Sequence, residues 1–557
     1  MGTSGNRDGY KIFSINTTVR NPQRNLEFLI HFKKFDGFVF DEKMKINYLI
    51  ELVKNGAYKF SIIPNDIKYK LENDILLTDD EINELLNKNP QKTGFDGRVM
   101  TQLRALKDQG LLIFSGAKTK PTIKMTNLAH LLANKEAYIT DIYSKIMIGL
   151  HANNPTRTSI YNKSRVFLNT LFVIDLLKKE WQKQGKVAKG ILKHEFVFIL
   201  GMKDCDYKKC VNDILKYRAK NGLKENLNDI QKYLFDDLKL LPISKSSIRD
   251  YVDDVFRKFE MTGLLVSRGA FKNIYYDFSQ FNIKKIEAIL KYYKNYKFEN
   301  FKNADEYINF LENIKLPWLE NITVRKEIVK NKALNLELDF DELDSSDLEK
   351  LENDLDRKFY AKSLTKVINE SDLEKLYKEL EILAQISQDK SIYDEIPEPL
   401  RLEYILALIF GKKFGNERLV SNLIYNENGL PLSYAPAGKV DLEYKDFLIE
   451  ATMIKNRNQQ LNAETTSVAR HMYEKKKKSK VELRTMLIAP TIHWDVALFF
   501  KFCTKEFDSK LAPLSIAKFI EIIKNSQNLD EFKSSFDDCV NNLIVLNSEN
   551  YQNTVNL

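Results

Sequence analysis

The residues best placed for chemistry lie in PAGKVDLEYKDFLIEAT, which ends at Thr452. Val440, Leu442 and Tyr444 alternate as one strand, Lys445 and Asp446 read as a turn, and Phe447 to Thr452 read as a returning strand. Across that hairpin Asp441 and Glu450 become neighbours. Two carboxylates at strand ends suit Mg²⁺, which takes oxygen ligands and keeps several waters that a substrate phosphate can share. The chemistry implied is metal-assisted hydrolysis of a phosphate ester. The same spacing also occurs on hairpins whose acids merely face solvent.

The elements around this hairpin read as a compact α/β domain over residues 386–557. A helix LRLEYILALIFGKKF precedes the two strands, a helix through SVARHMYEKKKK follows them, and a buried strand TMLIAP and a helix WDVALFFKF come next. This is the arrangement of the PD-(D/E)xK nuclease core, with one departure: Thr452 stands where the motif's lysine would be. The run Lys475 to Lys478 closes the second helix, where it either grips DNA phosphates or meets the helix dipole and solvent.

The N-terminal half is mainly α-helical and repeats one pattern. GFDGRVMTQLRALKDQGLLIF places Val99, Leu103 and Leu106 at helical spacing before Gly110 and a strand from Leu111 to Phe114. SKSSIRDYVDDVFRKFEMTGLLVSRGAFKNIYYDF repeats the order, with Ser247 as N-cap, Val252, Val255, Phe256 and Phe259 on one face, and Gly263 as the stop. Recognition helix followed by strand is the grammar of a winged helix, in which basic side chains reach phosphates and bases. Arg98, Arg104 and Lys107 suit that role in the first copy, and Arg249, Arg257 and Arg268 in the second. Helix, glycine turn and strand with solvated arginines is the structural alternative.

The resulting division is a recognition subdomain over 1–135 (winged-helix-like near 94–115), a second over 136–282 (near 244–278), a helical connector over 283–385 and the nuclease domain over 386–557. Single cores stop growing at roughly 250 to 300 residues, so 557 residues require several. Apolar residues at 43% and charged residues at 29% exclude a disordered or collagenous chain. Four cysteines, Cys205, Cys210, Cys503 and Cys539, form neither a disulfide frame nor a zinc pattern. No apolar run reaches the ~20 residues of a membrane span and no signal core opens the chain, so a cytoplasmic protein is expected. The net charge is +9, although Glu337 to Asp356 holds ten acids and one base, so the rest is more basic still. A polyanion such as double-stranded DNA is the natural partner.

A wider match adds to this reading. SINTTVRNPQRNLEFL (Ser14 to Leu29), TGLLVSRG (Thr262 to Gly269), VDLEYKDFLIEAT, AETTSVARHMYEKKKK and MLIAP together resemble the AlwI-type family of type IIS restriction endonucleases. The resemblance implies that Asp441 and Glu450 bind the metal. It further implies that Glu464 and His471 are an acid and a histidine of the following helix, and that Glu403, in LEYILALIF, is the acid preceding the sheet. The family lacks the motif lysine too, so Lys455 supplies the missing charge or His471 orients the water or takes its proton. Arg20 and Arg24 in the opening motif are candidates for base or phosphate contact, or for structural ion pairs.

The expected function is a magnesium-dependent type IIS restriction endonuclease that cuts at a fixed offset from a short asymmetric site, leaving 5′-phosphate and 3′-hydroxyl ends. One catalytic centre per chain cuts one strand, so double-strand cleavage needs a second copy or a smaller partner subunit; without either the protein is a strand-specific nickase. The rival class is a non-catalytic winged-helix DNA-binding regulator.

Overall fold

Many helices start where a side-chain oxygen meets the first unpaired amides of a turn. Asn21 caps Pro22–Phe32 by accepting from the Gln23 amide. Thr78 and Glu81 form a reciprocal capping box on Asp79–Lys88. Ser515 caps Ile516–Asn525, and Asn528 caps Leu529–Ile544. At the helix Lys245–Glu260 the cap is Ser244 rather than Ser247: the Ser244 hydroxyl accepts from the Ser247 amide at 3.1 Å, which sets Ser247 inside the first turn.

The structure is a computed structural model that describes residues 9–55, 57–58, 60, 62–73, 75–89, 94–134, 138–157, 160–186, 188–269, 274–394, 396–435, 438–478, 482–507, 509–545, 547 and 551–556. The side chains of residues 94–96, 98, 478, 551 and 552 lie outside that description. The fold is mostly helical, with a mixed sheet in the C-terminal half. Contacts divide the chain into two compact units, one of Met1–Asp41 with Met100–Asp356 and one of Glu42–Val99 with Arg357–Leu557. Among the described residues no helix is long and apolar enough to cross a membrane. The four cysteines are free, and burial pushes each thiol above its ordinary value, which suits packing rather than reactivity.

The first unit is helical with two small sheets. The helix Gly94–Lys107 leads into a hairpin of β1 (Leu112–Ala117) and β2 (Lys120–Met125). The helix Lys245–Glu260 likewise leads into antiparallel strands β4 (Leu265–Arg268) and β5 (Tyr275–Phe278), which with β3 (Ile191–Leu192) form a three-stranded sheet in the order β3-β5-β4. Both repeats of the sequence pattern therefore fold as helix followed by hairpin.

The acidic run is not uniformly solvated. On the helix Leu348–Glu370, Glu352 and Asp356 are buried and bracket the fully buried Lys332 at 2.9 and 2.6 Å, while Lys285 meets Glu352 at 2.8 Å. Burial opposes the charge of Lys332, but Asp356 and Glu352 outweigh it and hold the ammonium above its ordinary pKa.

The second unit carries the five-stranded sheet, ordered β12-β11-β10-β9-β6. Its strands are β6 (Leu419–Ser421), β9 (Leu442–Tyr444), β10 (Phe447–Ala451), β11 (Arg484–Ala489) and β12 (Lys510–Ser515); a separate hairpin pairs β7 (Ile424–Tyr425) with β8 (Pro431–Ser433). β10, β11 and β12 run parallel, and β9 and β6 are antiparallel to their neighbours. The parallel strands are buried at all but one end residue each because both faces are covered. The helix Glu398–Phe414 contributes Phe410, which packs against Tyr444, Phe519 and Phe532 at centroid distances of 5.6, 6.1 and 5.6 Å.

In the first unit His151 is fully buried, ringed by Phe298, Phe301 and Phe310. Its Nε2 accepts from the Glu299 amide at 3.2 Å, so Nδ1 carries the proton and donates to the Gly149 carbonyl at 2.8 Å. Burial, with Arg165 adding to it, drives its pKa down to about 3. The unfolded chain takes up a proton near the ordinary value of about 6.5 and the folded unit does not, so this stability is present above that pH and is lost below it. Denaturant unfolding of this unit should weaken by about 2 kcal/mol between pH ~6.5 and ~4.5 on account of this residue. That part of the slope should vanish in His151→Gln, and an unchanged slope would show that His151 is protonated in the fold.

Candidate active site and DNA-facing residues

The β9–β10 hairpin is closed by Lys445 and Asp446. Lys445 sits at φ 53°, and the register pairs Tyr444 with Phe447 and Leu442 with Ile449. A two-residue connection with positive φ matches the twist of the flanking strands. The turn is pinned from below: buried Asp446 receives Arg484 at 2.5 Å and Lys533 at 2.7 Å, and Arg484 also grips Asp537 with two bonds of 2.8 and 2.7 Å.

Continued by one residue, that register sets Asp441 opposite Glu450. The Ala451 amide donates to Asp441 Oδ2 at 2.9 Å, so the Asp441 carboxylate extends the ladder beside Glu450. Asn422 secures the backbone there: its amide donates to the Asp441 carbonyl at 3.0 Å and its Nδ2 to the Val440 carbonyl at 2.8 Å. Asp441 is half-buried, and Glu450 is buried at 8% exposure.

His471, on the helix Thr466–Lys478, places Nδ1 2.6 Å from Glu450 Oε1. Burial and then Arg470 lower its pKa, while Asp441 and Glu474 pull the other way; the net favours the neutral ring. With a carboxylate accepting at Nδ1, the Nδ1 hydrogen is fixed and Nε2 keeps its lone pair. Among the described residues Nε2 is buried with no hydrogen-bond partner.

Thr452, at the position of the motif lysine, is buried at 6% exposure. Its hydroxyl donates to Glu464 Oε1 at 3.4 Å and accepts from the Ile454 amide at 3.2 Å. Glu464 rides on a π-helical turn, Gln460–Thr465, a widened geometry common at functional sites. Two fully buried amides hold the loop between strand and helix. Asn456 Nδ2 donates to the Leu71 carbonyl at 2.8 Å, and Gln460 Nε2 donates to the Ile454 and Thr491 carbonyls at 3.1 and 2.9 Å. Lys455 lies in this loop, half-buried, with its carbonyl taken by His493 Nε2 at 2.8 Å. Glu403 is buried on the helix Glu398–Phe414, near Tyr425, whose pKa is raised by burial, with the Glu403 charge adding to it and the Ser421 hydrogen bond of 2.6 Å opposing.

Asp441, Glu450 and His471 are thus brought together directly, and Glu464 is joined to them through Thr452. Among the described residues no group of three or more histidine, cysteine or acidic side chains converges as a metal cage. Two neighbouring carboxylates still fit Mg²⁺, whose remaining positions go to water and phosphate. The lysine run is engaged locally: Lys475 pairs with Glu443 at 2.6 Å, Lys476 donates to the Phe507 carbonyl at 2.6 Å, and Lys477 lies over the Tyr473 ring.

In the first unit the opening motif is fastened to the second helix–hairpin. Asp254, fully buried on Lys245–Glu260, accepts from the Ile15 and Asn16 amides at 2.9 and 3.0 Å and is ion-paired with Lys258. Arg157 caps the Ser14 and Ile15 carbonyls and lies over Phe13 and Tyr161. Exposed Arg20 then reaches Asp250 at 3.1 Å. Burial raises the pKa of Asp108, next to Lys107, with Arg157, Lys107 and Asn16 opposing, so the first helix–hairpin borders the same loop. Sequence reasoning missed Asp254, Lys258 and Arg157, because an i,i+4 pair such as Asp254–Lys258 reads like any solvated one.

The other basic candidates divide. Arg104 is exposed, and Arg24 is exposed with its guanidinium over Phe28. Lys107 lies over Phe114 and burial lowers its pKa, Asp108 opposing. Arg249 is bonded to Glu225 at 2.6 Å, Arg257 to Asp253 at 2.7 Å, and Arg268 donates to the Phe278 carbonyl at 3.4 Å. The side chain of Arg98 lies outside the described residues.

Three solved structures are similar to parts or most of the chain. The small subunit of the heterodimeric restriction endonuclease R.BspD6I shares 22% identity over 32% of this chain and 95% of its own, with a TM-score of 0.27. Restriction endonuclease FokI shares 11% over 92% of this chain and 97% of its own, at 0.23, and FokI bound to DNA shares 10% over 94% and 73%, at 0.20. No curated protein matches. The model of the AlwI restriction endonuclease family matches residues 109–522, which takes in the second helix–hairpin, the Asp441–Glu450 hairpin and His471. The chain belongs to the AlwI restriction endonuclease family.

Proposed function

We propose that this chain is a type IIS restriction endonuclease that recognises a short asymmetric DNA sequence with its first unit and hydrolyses a phosphodiester at a fixed offset with its second. The observation that carries the reading is the alignment of Asp441 with Glu450 through the Ala451 amide, with the His471 imidazole on Glu450. Asp441 and Glu450 would hold Mg²⁺, which would offset charge developing on the scissile phosphate and lower the pKa of water. His471 Nε2 takes the proton of the attacking water, since Nδ1 is committed to Glu450 and burial favours the neutral ring. Lys455 supplies positive charge toward the phosphorane, and Glu464 acts through Thr452 to position the strand end. Displacement of the 3′ oxygen leaves 5′-phosphate and 3′-hydroxyl ends.

Recognition is assigned to the two helix–hairpin modules, read as winged helices, together with the opening loop. Arg20, Arg24 and Arg104 are exposed toward a polyanion, and Lys107, Arg249, Arg257 and Arg268 exchange or share their present partners on DNA. One catalytic centre per chain cuts one strand.

The purified protein, incubated with a long DNA of known sequence, should give Mg²⁺-dependent cuts at a constant offset from one motif when both strands' ends are sequenced. Asp441→Ala should abolish the cuts with DNA affinity within about threefold of the parent; intact DNA with the parent protein would instead favour a non-catalytic DNA-binding regulator. His471→Asn keeps a donor for Glu450 but has no basic nitrogen to take the proton, and should slow single-turnover cleavage by about 10² to 10⁴. A wild-type rate in that variant would remove His471 from proton transfer. Arg104→Ala should lower the slope of log affinity against log salt by about 0.9 if the side chain meets a phosphate, and an unchanged slope would remove it from the interface.

A further inference from the structure

Glu42–Val99 comes from the N-terminal half of the chain, but its contacts group it with Arg357–Leu557 in the second unit. One bond within that unit ties it to the loop bearing Lys455. Asn456, fully buried, accepts from the Gln459 amide at 3.0 Å and donates from Nδ2 to the Leu71 carbonyl at 2.8 Å. Leu71 lies in the last turn of the helix Asn65–Glu72, where carbonyls have no partner inside the helix. The Tyr69 and Lys70 carbonyls take the Asn73 and Ile75 amides at 3.0 and 2.9 Å, and the Leu71 carbonyl takes Asn456. The end of this helix is therefore closed by the residue that follows Lys455, in the loop that leaves β10 just after Glu450.

The helix turns Ile67 and Leu71 inward and leaves Lys68 and Tyr69 outside, Tyr69 at 61% exposure. Neighbouring lysines are occupied: Lys70 is ion-paired with Glu81, and Lys88 with Glu84 at 2.6 Å. The Lys68 ammonium has no partner among the described residues. Lysine and tyrosine both present donors, and the oxygens of a DNA phosphate accept them. An ammonium without an ion pair meets a phosphate without first giving up a carboxylate, which Arg249 and Arg257 must do. Lys68 precedes Leu71 by about 4.5 Å along the helix axis, at ~1.5 Å per residue. Each strand of a duplex carries one phosphate per roughly 3.4 Å of its axis, so that distance corresponds to a step or two along DNA.

We infer that the helix Asn65–Glu72 belongs to the cleavage centre, where Lys68, with the Tyr69 hydroxyl beside it, binds a phosphate of the DNA a few nucleotides from the scissile bond. The inference rests on the reading of the chain as a nuclease. It goes beyond that reading by giving a stretch of the N-terminal half a place on the DNA being cut rather than on the sequence being recognised. Asn456 is then a positioning residue: one buried amide closes the helix that seats the DNA and caps the turn after Lys455, so seat and loop cation keep a fixed spacing.

The test is a phosphate scan without cleavage. The full chain, with a chelator present, is bound to duplexes that span the recognition motif and the cut position and carry one neutral methylphosphonate, moved in turn along both strands. Lys68→Gln, a change on the exposed face, should lower the slope of log affinity against log salt by about 0.9. Its affinity should also stop responding to one methylphosphonate within about three nucleotides of the cut, because the removed charge and the removed phosphate belong to one contact. Responses inside the recognition motif should stay those of the parent. An unchanged salt slope, a parental response at every linkage, or a response lost inside the motif would overturn the inference. If the parent with Mg²⁺ cuts no strand, the nuclease reading fails and the assignment to a cleavage centre fails with it, while the salt slope of Lys68→Gln still decides whether this helix meets DNA.

Discussion

The hydrogen bond from the Ala451 amide to the Asp441 carboxylate is the contact on which the candidate active site depends, because it makes a side chain serve as the last rung of a β-ladder. Side chains on a strand alternate between faces, so a one-residue slip between β9 and β10 would send Asp441 and Glu450 to opposite sides of the sheet. Local sequence guards weakly against that slip, since the hairpin is short. The guard is tertiary: Arg484, paired with Phe447 in the neighbouring parallel strand, ties Asp446 of the turn to Asp537 of the last long helix. Asp446 is the buried member of this half-buried cluster, so removing Arg484 would leave its charge short of a partner. The register is therefore held from the side of the hairpin remote from the chemistry.

A similar division holds in the first unit. The loop bearing Asn16 and Arg20 has a short 3-10 turn, Thr17–Val19, too small to hold its own shape. Asp254 satisfies two of its amides and Arg157 two of its carbonyls, so both kinds of backbone polar group are paired without exposing the anchors. The exposed residues remain available to a ligand while the buried ones fix their direction. That arrangement needs residues from three distant stretches of chain, near positions 15, 157 and 254.

Those distances explain what was legible in the sequence and what was not. The β9–β10 hairpin, the helix behind His471 and the strand Arg484–Ala489 announce themselves through period-2 alternation, helical spacing or an unbroken apolar run. The pairing of Asp441 with Glu450 follows from hairpin geometry alone. Asn456 and Gln460 sit in a stretch of polar residues with no period, and the Leu71 carbonyl that accepts from Asn456 lies 385 positions away, so nothing local marks them as buried. Lys510–Ser515 hides for another reason: Pro513 argues against a strand, but β12 is the edge of its sheet, where proline is tolerated. The cap on Lys245–Glu260 falls one turn earlier than expected because Ser244, Ser246 and Ser247 are equivalent as residue types and only the helix phase distinguishes them.

In the proposed mechanism the two candidates for the missing motif lysine take different tasks. Thr452 is buried and its hydroxyl is occupied by Glu464, so a lysine in its place would have to carry an ammonium into a packed strand end rather than toward a phosphate. A positive charge for the phosphorane must come from elsewhere. In the proposed mechanism His471 does not supply it, because burial favours the neutral ring; what it offers is a lone pair directed by the bond to Glu450. Lys455 offers the converse, a cation on a loop whose backbone His493 and Gln460 hold in place. A single lysine in the standard motif combines electrostatic and water-orienting work; in the proposed mechanism the two are divided between Lys455 and His471, and the π-helical turn is the element that links them in the chain.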